Sequence, residues 1–387
     1  MSDSVHIPDV RKGLEGVIAG DTSVCEVDGE RCQLIYRGYN IDELVGKSTY
    51  EEVAYLLLHG VLPARGQLDD WTHQLQSYRA VDPGVIACLK GLPSQGDPMA
   101  LLRTAVSVLA LYDAEADDDA MDAVWRKAIR SISRIATVAA AIGRISAGKE
   151  PIAPKSELSH AANFLYMLNG RVPSDEEAAA LDAYLVLLAE HGFNASTFAA
   201  RVTTGTKSDF YSSIVSAIGT LKGPLHGAAG ERAMATLLEI GSPEQVEAFV
   251  QKTLSNHQRF MGFGHRVYRG EDPRGRHLKA RAFALSEKAK DGYLFRISES
   301  MQGAVMRAKT LYINVDFYAA PLLHFLGIAT NLFTVMFAVS RIAGWSAHVI
   351  EQTKDNRLIR PLARYAGPKD LRYVPIDQRS AAKVATA

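Results

Sequence analysis

The stretch PSDEEAAALDAYLVLLAEHG, residues 173–192, predicts a helix whose two ends are marked in the sequence. Ser174 and Glu177 stand at the spacing of a capping box, in which each side chain binds the backbone N–H of the other residue. A run of helix-forming residues follows, and Gly192 closes the segment. Helices of this kind determine the fold class.

Similar signals continue through most of the chain. Thr49 and Glu52 form another capping box before an apolar run that ends at Gly60, and Pro98 lies in the first turn of a further helix. Later helices are predicted at 194–206, 208–221, 227–240, 243–257, 273–290, 297–311, 315–327 and 331–350. The alternation of strands and helices typical of α/β proteins is absent, so the predicted class is all-α.

One small β-structure is expected near the N-terminus. The segment SVCEVDGERCQLIYRG, residues 23–38, contains two runs that favour strands on either side of Asp28-Gly29. This dipeptide is a strong turn signal, so the segment predicts a β-hairpin.

Composition restricts the function classes. The 387 residues are 47% hydrophobic, which suits two domains or one large domain with an insertion. Lys and Arg number 43, as do Asp and Glu, so neither nucleic acid nor an anionic membrane is an expected partner. The three cysteines form no disulfide framework, and without a CxxC or HExxH motif no metal is expected. Because the N-terminus lacks the apolar region of a signal peptide, we expect a cytoplasmic protein.

Two segments have alternative interpretations. Residues 322–340 are long and apolar enough to cross a bilayer, but polar residues and Gly327 favour two buried helices separated near 327–331. The acidic segment DAEADDDAMD, residues 113–122, has no cation-binding spacing and is interpreted as a solvated loop.

Cationic side chains are concentrated in the segment FMGFGHRVYRGEDPRGR, residues 260–276. Its glycines do not form a dinucleotide-binding motif, because Val267 occupies the third glycine position and no strand precedes it. Asp272 as N-cap and Pro273 at the first position place Arg274 at a helix N-terminus. Such a site suits a carboxylate or phosphate, although a solvated basic loop remains an equal alternative.

Two further segments carry potentially reactive groups. Gly223-Pro224 ends one helix before another begins, so His226 lies near a helix N-terminus, where the dipole favours neutral imidazole. Asn314 can cap a helix with Asp316 in its first turn, where the carboxylate could act as a general base. A turn histidine and an ordinary first-turn acid are the structural alternatives.

Other polar residues extend this set. His191 lies beside Gly192 at a helix end, Arg341 follows a hydrophobic helix, and Arg360 lies in NRLIRPLAR. A buried arginine requires an anion, from either the protein or a ligand. A base, neutral donors and arginines suit carbon-acid chemistry on a polycarboxylate.

Three segments, GPLHGAAGE (223–231), GFGHRVYRGEDPR (262–274) and NVDFYAAPL (314–322), resemble in this order the active-site segments of citrate synthases. The N-terminal region and EHGFNASTFAARV (190–202) are similar to short bacterial and archaeal members, so the resemblance covers essentially the whole chain.

The resemblance implies an almost all-α, two-domain homodimer with shared active sites, in which higher oligomers are possible. Residues 1–226 and 322–387 would form the large domain, with a C-terminal arm, and residues 227–321 the inserted small domain. The substrates would be acetyl-CoA and oxaloacetate, and no separate cofactor is expected because the CoA thioester is itself a substrate.

The resemblance also assigns residue roles. The catalytic residues would be Asp316 as base, His226 as donor to the enolate oxygen and His265 as donor to the ketone. The implied oxaloacetate ligands are His191, Arg274, Arg341, Phe337 and, from the partner subunit, Arg360. The implied CoA contacts are Gly262, Phe263, Gly264, Arg269 and Lys309.

The chain departs from the family pattern at Leu188, where many relatives have histidine, and at Glu190, where aspartate is frequent. Ala319-Ala320 replaces a common Ser-Gly pair beside the base, which could alter acyl-chain preference. The alternatives are a 2-methylcitrate synthase that uses propionyl-CoA and, from another class, a non-catalytic helical scaffold.

Overall fold

The computed structural model describes residues 10–379, which contain sixteen α-helices and three short strands. The strands are β1 (Cys25–Asp28), β2 (Gln33–Tyr36) and β3 (Tyr39–Asn40). The helices are α1 (Ile41–Leu44), α2 (Tyr50–His59), α3 (Arg65–Ser77), α4 (Pro83–Gly91), α5 (Pro98–Leu111), α6 (Met121–Ser146), α7 (His160–Asn169), α8 (Asp175–Leu188), α9 (Ala195–Gly205), α10 (Phe210–Leu221), α11 (Ala229–Ile240), α12 (Val246–Ser255), α13 (Pro273–Ser286), α14 (Tyr293–Lys309), α15 (Val315–Phe325) and α16 (Phe333–Lys354). The predicted all-α class is confirmed.

The predicted hairpin is part of a three-stranded antiparallel sheet in the order β1-β2-β3. Cys25 pairs with Tyr36 and Asp28 with Gln33 across the first two strands. The turn between them is organised by the Asp28 carboxylate, which accepts hydrogen bonds from the backbone N–H groups of Glu30 and Arg31. The third strand was not predicted, since it is only two residues long.

The cap residues define most helix starts as the sequence indicates. Ser174 and Glu177 form the reciprocal capping box of α8, and Thr49 caps α2, which ends at Gly60 in the left-handed conformation. The end of α8 differs from the prediction, because the helix stops at Leu188 rather than near Gly192. Residues 189–192 leave the helix and lead into the candidate site.

Helix α16 is the central element of the core. It packs against α2, α5, α6, α8, α9, α10 and α11, and its apolar 18-residue window is wholly buried. This helix has the length and hydropathy of a membrane span, yet its burial is that of a core helix. The predicted interruption of segment 322–340 is confirmed, since α15 ends at Phe325, Gly327 has φ +74° and α16 begins at Phe333.

The acidic segment 113–122 is more ordered than a solvated loop. Asp113 is nearly buried and accepts two hydrogen bonds from Arg130, and Glu115 pairs with Arg126 as well as with Arg130. These partners lie on α6, so they become neighbours only when the loop folds back on that helix.

Two compact units are distinguished within the chain. Thr22–Ile359 forms the larger unit, and residues 10–21 with 360–379 form the smaller one. Within residues 360–379 the backbone is largely extended and exposed, with one short 3₁₀ turn at Ile376–Gln378, as expected for an arm. The division into a large domain and an inserted domain at 227–321 remains a prediction.

Candidate active site

Two of the motifs identified in the sequence are joined through their backbones. Gly264 N–H donates to the Tyr312 carbonyl at 2.8 Å, and Asn314 N–H donates to the Gly262 carbonyl at 2.9 Å. Gly262 has φ +80°, and a Cβ there would lie 2.8–3.0 Å from atoms of Phe317, so both conformation and space require glycine. This pairing places the loop that contains Gly262, Gly264 and His265 beside the N-terminus of α15.

Arg274 is buried and paired with the N-cap residue of its own helix. Asp272 accepts from the backbone N–H of Arg274, as predicted, and also binds the guanidinium through Nε at 2.9 Å and Nη2 at 2.7 Å. The carboxylate raises the pKa of Arg274 against the opposing effect of burial. Asp272 also accepts from Val315 N–H at 3.0 Å, so it connects α13 to the start of α15.

His265 is held as a neutral ring with its proton on Nε2. Its Nδ1 accepts hydrogen bonds from the backbone N–H groups of Val267 and Tyr268, each at 3.1 Å. Because an amide N–H can only donate, Nδ1 carries no proton, and Nε2 is the donor of the neutral ring. Burial, followed by the positive charge of Arg274, lowers the pKa of His265 to about 4.

His226 is neutral for a reason that the sequence did not reveal. It lies ahead of α11, which begins at Ala229, and its Nε2 accepts from the backbone N–H of Ser196 at the start of α9, at 3.3 Å. The neutral ring therefore carries its proton on Nδ1. Burial and the charge of Arg341 lower the pKa of His226 to about 4. The helix N-terminus that His226 contacts thus belongs to α9 and not to the helix that follows it.

Asp316 lies in the first turn of α15, where Asn314 caps the helix by accepting from the Asp316 N–H at 3.0 Å. Burial raises the pKa of this carboxyl to about 6, and the nearby cations Arg274 and Arg341 oppose part of the increase. A Cβ on Gly230 of α11 would be 3.5 Å from Asp316 Oδ1, so the helix after His226 packs beside this carboxylate.

His191 is next to His265, with ring centroids 5.3 Å apart. Its Nε2 lies 3.1 Å from the hydroxyl of Tyr268, whose ring also packs against His265 at 4.6 Å. Burial, and then the charges of Arg274 and Arg341, lower the pKa of His191 well below its usual value. The two histidines therefore share one buried tyrosine as a neighbour.

Arg341 is, with Arg274, a buried arginine of this site, and 1% of its surface is exposed. Its Nε donates to the Leu188 carbonyl at 2.7 Å, and its guanidinium lies 4.7 Å from the centre of the Phe337 ring. Among residues 10–379 no carboxylate forms an ion pair with Arg341. Burial lowers the pKa of Arg341, and the negative charge of Glu190 opposes this effect. A buried cation in this state is stabilised by an anionic ligand.

The remaining predicted residues are less closely associated with this cluster. Arg269 is exposed and pairs with Glu30 at 2.8 Å, beside the turn between β1 and β2. Lys309 is exposed at the last position of α14, and Arg360 is exposed in the smaller unit. Phe263 packs on Phe317 with ring centroids 4.6 Å apart. Their roles in CoA or oxaloacetate binding remain predictions.

Two residues that form hydrogen bonds with the site histidines, Tyr268 and Ser196, were not predicted from the sequence. Tyr268 was an unremarkable residue in the basic loop, and Ser196 an ordinary position in the first turn of α9. No local signal identifies them, because each contacts a histidine distant in the chain. Asp272 was expected only as an N-cap, although its i, i+2 spacing from Arg274 was visible.

In a helical fold, a carboxyl of raised pKa, two neutral histidines and buried arginines form a site that can remove a proton from carbon and bind an anionic substrate. The family model described as "Citrate synthase, C-terminal domain" matches residues 13–362. The chain belongs to the citrate synthase family.

Similar proteins cover the chain almost completely. It is 45% identical over 370 residues to citrate synthase 2 of Bacillus subtilis, covering 95% of this chain and 99% of that protein. It is 40% identical over 381 residues to 2-methylcitrate synthase 2 of Corynebacterium glutamicum, with coverages of 97% and 100%. The solved citrate synthase of Thermoplasma acidophilum, a ternary complex with carboxymethyl coenzyme A and oxaloacetate, has a TM-score of 0.90 and 34% identity, with coverages of 96% and 100%.

Proposed function

We propose that this protein condenses acetyl-CoA with oxaloacetate and hydrolyses the resulting citryl-CoA to citrate and CoA. The observation that carries the proposal is the pair of histidines, His226 and His265, each held neutral by backbone N–H donors on one ring nitrogen. Each ring has one N–H left to donate, which suits two carbonyl oxygens that become negatively charged.

In the proposed mechanism, Asp316 removes a proton from the methyl group of acetyl-CoA. The Nδ1–H of His226 stabilises the enolate oxygen, and the Nε2–H of His265 polarises the oxaloacetate ketone. The enolate carbon attacks the ketone carbon, and the new alkoxide takes the Nε2 proton of His265, which solvent restores, to become the hydroxyl of citryl-CoA. Water then cleaves the thioester and releases CoA, and Asp316 returns its proton to solvent.

Substrate binding is assigned by charge. Arg274 and Arg341 are both buried cations in the same region as His191, which suits a dicarboxylate that brings two negative charges. Arg341 has the stronger requirement for a ligand, because Asp272 already neutralises Arg274.

Three free cysteines are consistent with the cytoplasmic location that we also propose.

Thiol release from acyl-CoA tests this function directly. We expect CoA release from acetyl-CoA only when oxaloacetate is present, with citrate as the product. The second candidate function is that of a 2-methylcitrate synthase, which uses propionyl-CoA. A 2-methylcitrate synthase is also similar to this chain, and Ala319-Ala320 lies beside the base. One methylene changes specificity by about 1–3 kcal/mol, so kcat/KM is compared for both substrates. A preference for propionyl-CoA would favour 2-methylcitrate synthase activity. If the folded protein released no CoA from either substrate, the non-catalytic helical scaffold would be favoured.

A homodimer with shared sites is the proposed assembly, with Arg360 contributed across the interface. We expect Arg360→Ala to weaken oxaloacetate binding, and co-expression with Asp316→Asn to restore activity. Random pairing makes half of the dimers mixed, each with one intact site, so recovery should reach about a quarter of wild-type activity. Each variant expressed alone is the control. Purified mixed dimers without activity would mean that Arg360 serves the site of its own subunit, and unchanged oxaloacetate binding in Arg360→Ala alone would mean that it serves neither site.

A further inference from the structure

The turn that presents His191 is held along one face of α16. Three residues of that helix, spaced by three and four positions, each contact one of the three residues before His191. The contacts are Arg341 Nε to the Leu188 carbonyl at 2.7 Å, Gly344 N–H to the Ala189 carbonyl at 3.1 Å, and His348 Nε2 to Glu190 Oε1 at 3.0 Å. Residues at this spacing share a face of a helix, so α16 supports the whole turn.

The last of these contacts joins two side chains without solvent exposure. Glu190 and His348 are each 0% exposed. The other ring nitrogen of His348, Nδ1, lies 3.1 Å from Nη1 of Arg201. A guanidinium can only donate, so Nδ1 accepts, and the neutral His348 ring donates its Nε2 proton to the Glu190 carboxylate.

Arg201 is fixed independently of His348. Its Nη1 donates to Glu351 Oε2 at 2.6 Å, and its guanidinium lies 4.6 Å from the centre of the Phe193 ring. Glu351 in turn accepts from Ser23 N–H at 2.8 Å. Because Arg201 is held in this way, it determines which nitrogen of His348 is available to Glu190.

Gly344 provides the space for the Glu190 carboxylate. A Cβ at position 344 would lie 2.0 Å from Glu190 Oε2 and 2.4 Å from the Ala189 carbonyl oxygen. The carboxylate therefore occupies the volume that a side chain would fill. The Tyr36 hydroxyl accepts from Glu190 N–H at 3.1 Å, and Glu190 has no exposed surface.

We propose that His348 is a positioning residue for oxaloacetate binding, which acts by donating a hydrogen bond to Glu190 and so orients the adjacent His191. The inference rests on the proposed function, because His191 is assigned to oxaloacetate there. The charge of Glu190 also acts on Arg341, so a displaced carboxylate disturbs two oxaloacetate ligands together.

Two substitutions separate the hydrogen bonds of His348. In His348→Gln the side-chain amide reaches the place of Nε2 and still donates to Glu190, whereas in His348→Asn the shorter amide can accept from Arg201 at the place of Nδ1. We expect His348→Asn to raise the KM for oxaloacetate about tenfold or more with a smaller change in kcat. His348→Gln should remain within about threefold of wild type.

Calorimetric titration with oxaloacetate, without acyl-CoA, measures the affinity of wild type, His348→Asn and His348→Gln independently of turnover. If wild type neither binds oxaloacetate nor releases CoA, the proposed function fails. If wild type does both but the Asn and Gln variants have equal KM values, the positioning role alone is wrong. Should His348→Asn not fold, Gly344→Ala displaces the same carboxylate from its other side and should also raise KM. An unchanged KM in folded Gly344→Ala would overturn the proposal.

Discussion

Asp316→Asn is expected to reduce kcat by about 10²–10⁴-fold, the usual contribution of a general base. The amide preserves the shape of the side chain but cannot accept the methyl proton of acetyl-CoA. Oxaloacetate binding should be nearly unchanged, because the arginines and histidines assigned to that substrate remain. Steady-state kinetics with acetyl-CoA and calorimetry with oxaloacetate measure the two effects separately.

The pH dependence provides a second measurement of the same assignment. A base acts only when it is deprotonated, and burial raises the pKa of Asp316 to about 6. We therefore expect kcat/KM for acetyl-CoA to decrease as pH falls through about 6, whereas His226 and His265 remain neutral until about 4. Asp175→Asn, in the exposed first turn of α8, is the matched control and should leave turnover unchanged. Nearly intact turnover in Asp316→Asn would remove Asp316 from the mechanism.

Arg341→Gln is expected to weaken oxaloacetate binding by about 30-fold to several thousand-fold, since truncating one partner of a buried charge pair costs about 2–5 kcal/mol. The residue has 1% exposure, contacts the Leu188 carbonyl and the Phe337 ring, and has no carboxylate ion pair within residues 10–379. The negative charge that it lacks is the one that oxaloacetate would bring. Calorimetric titration and the KM for oxaloacetate measure the loss.

Arg171→Gln is the matched control for this substitution. Unlike Arg341, Arg171 is ion-paired, with Glu177, but its side chain is 58% exposed, and exposed pairs contribute about 0–1 kcal/mol. It should bind oxaloacetate as wild type does. If folded Arg341→Gln retained its affinity for oxaloacetate, Arg341 would not be an oxaloacetate ligand.

Helix starts were predictable because their signals lie within a few residues of one another. The side chains of Ser174, Glu177 and Asp272 accept from local backbone N–H groups, and Pro273 has no N–H to satisfy, so these signals require no knowledge of the fold. The end of α8 was not predictable in the same way. The Tyr36 hydroxyl, the Arg341 guanidinium and the Gly344 N–H bind backbone carbonyls of residues 188–190, and they come from distant parts of the chain.

The candidate site follows the same division. His226, His265 and Asp316 were selected from residue type, cap position and family resemblance. The sequence favoured a neutral His226, but the nitrogen that carries its proton and the raised pKa of Asp316 were not visible, because both depend on tertiary contacts. The donors to His265, by contrast, are two and three residues away in the chain. His226 contacts Ser196 at the start of α9, and the pKa of Asp316 reflects burial against two arginines.

The linear sequence determined the helical class, the helix starts and the inventory of a base, donors and cations, because these properties depend on neighbouring residues and on side-chain chemistry. Tertiary structure decided which nitrogen of His226 and of His348 carries the proton, that Arg341 is buried without a carboxylate ion pair within residues 10–379, and which residues support His191. Hydrogen-bond direction and the cost of burying a charge depend on atoms within a few ångströms. For His226, His348 and Arg341, those atoms belong to residues far apart in the chain.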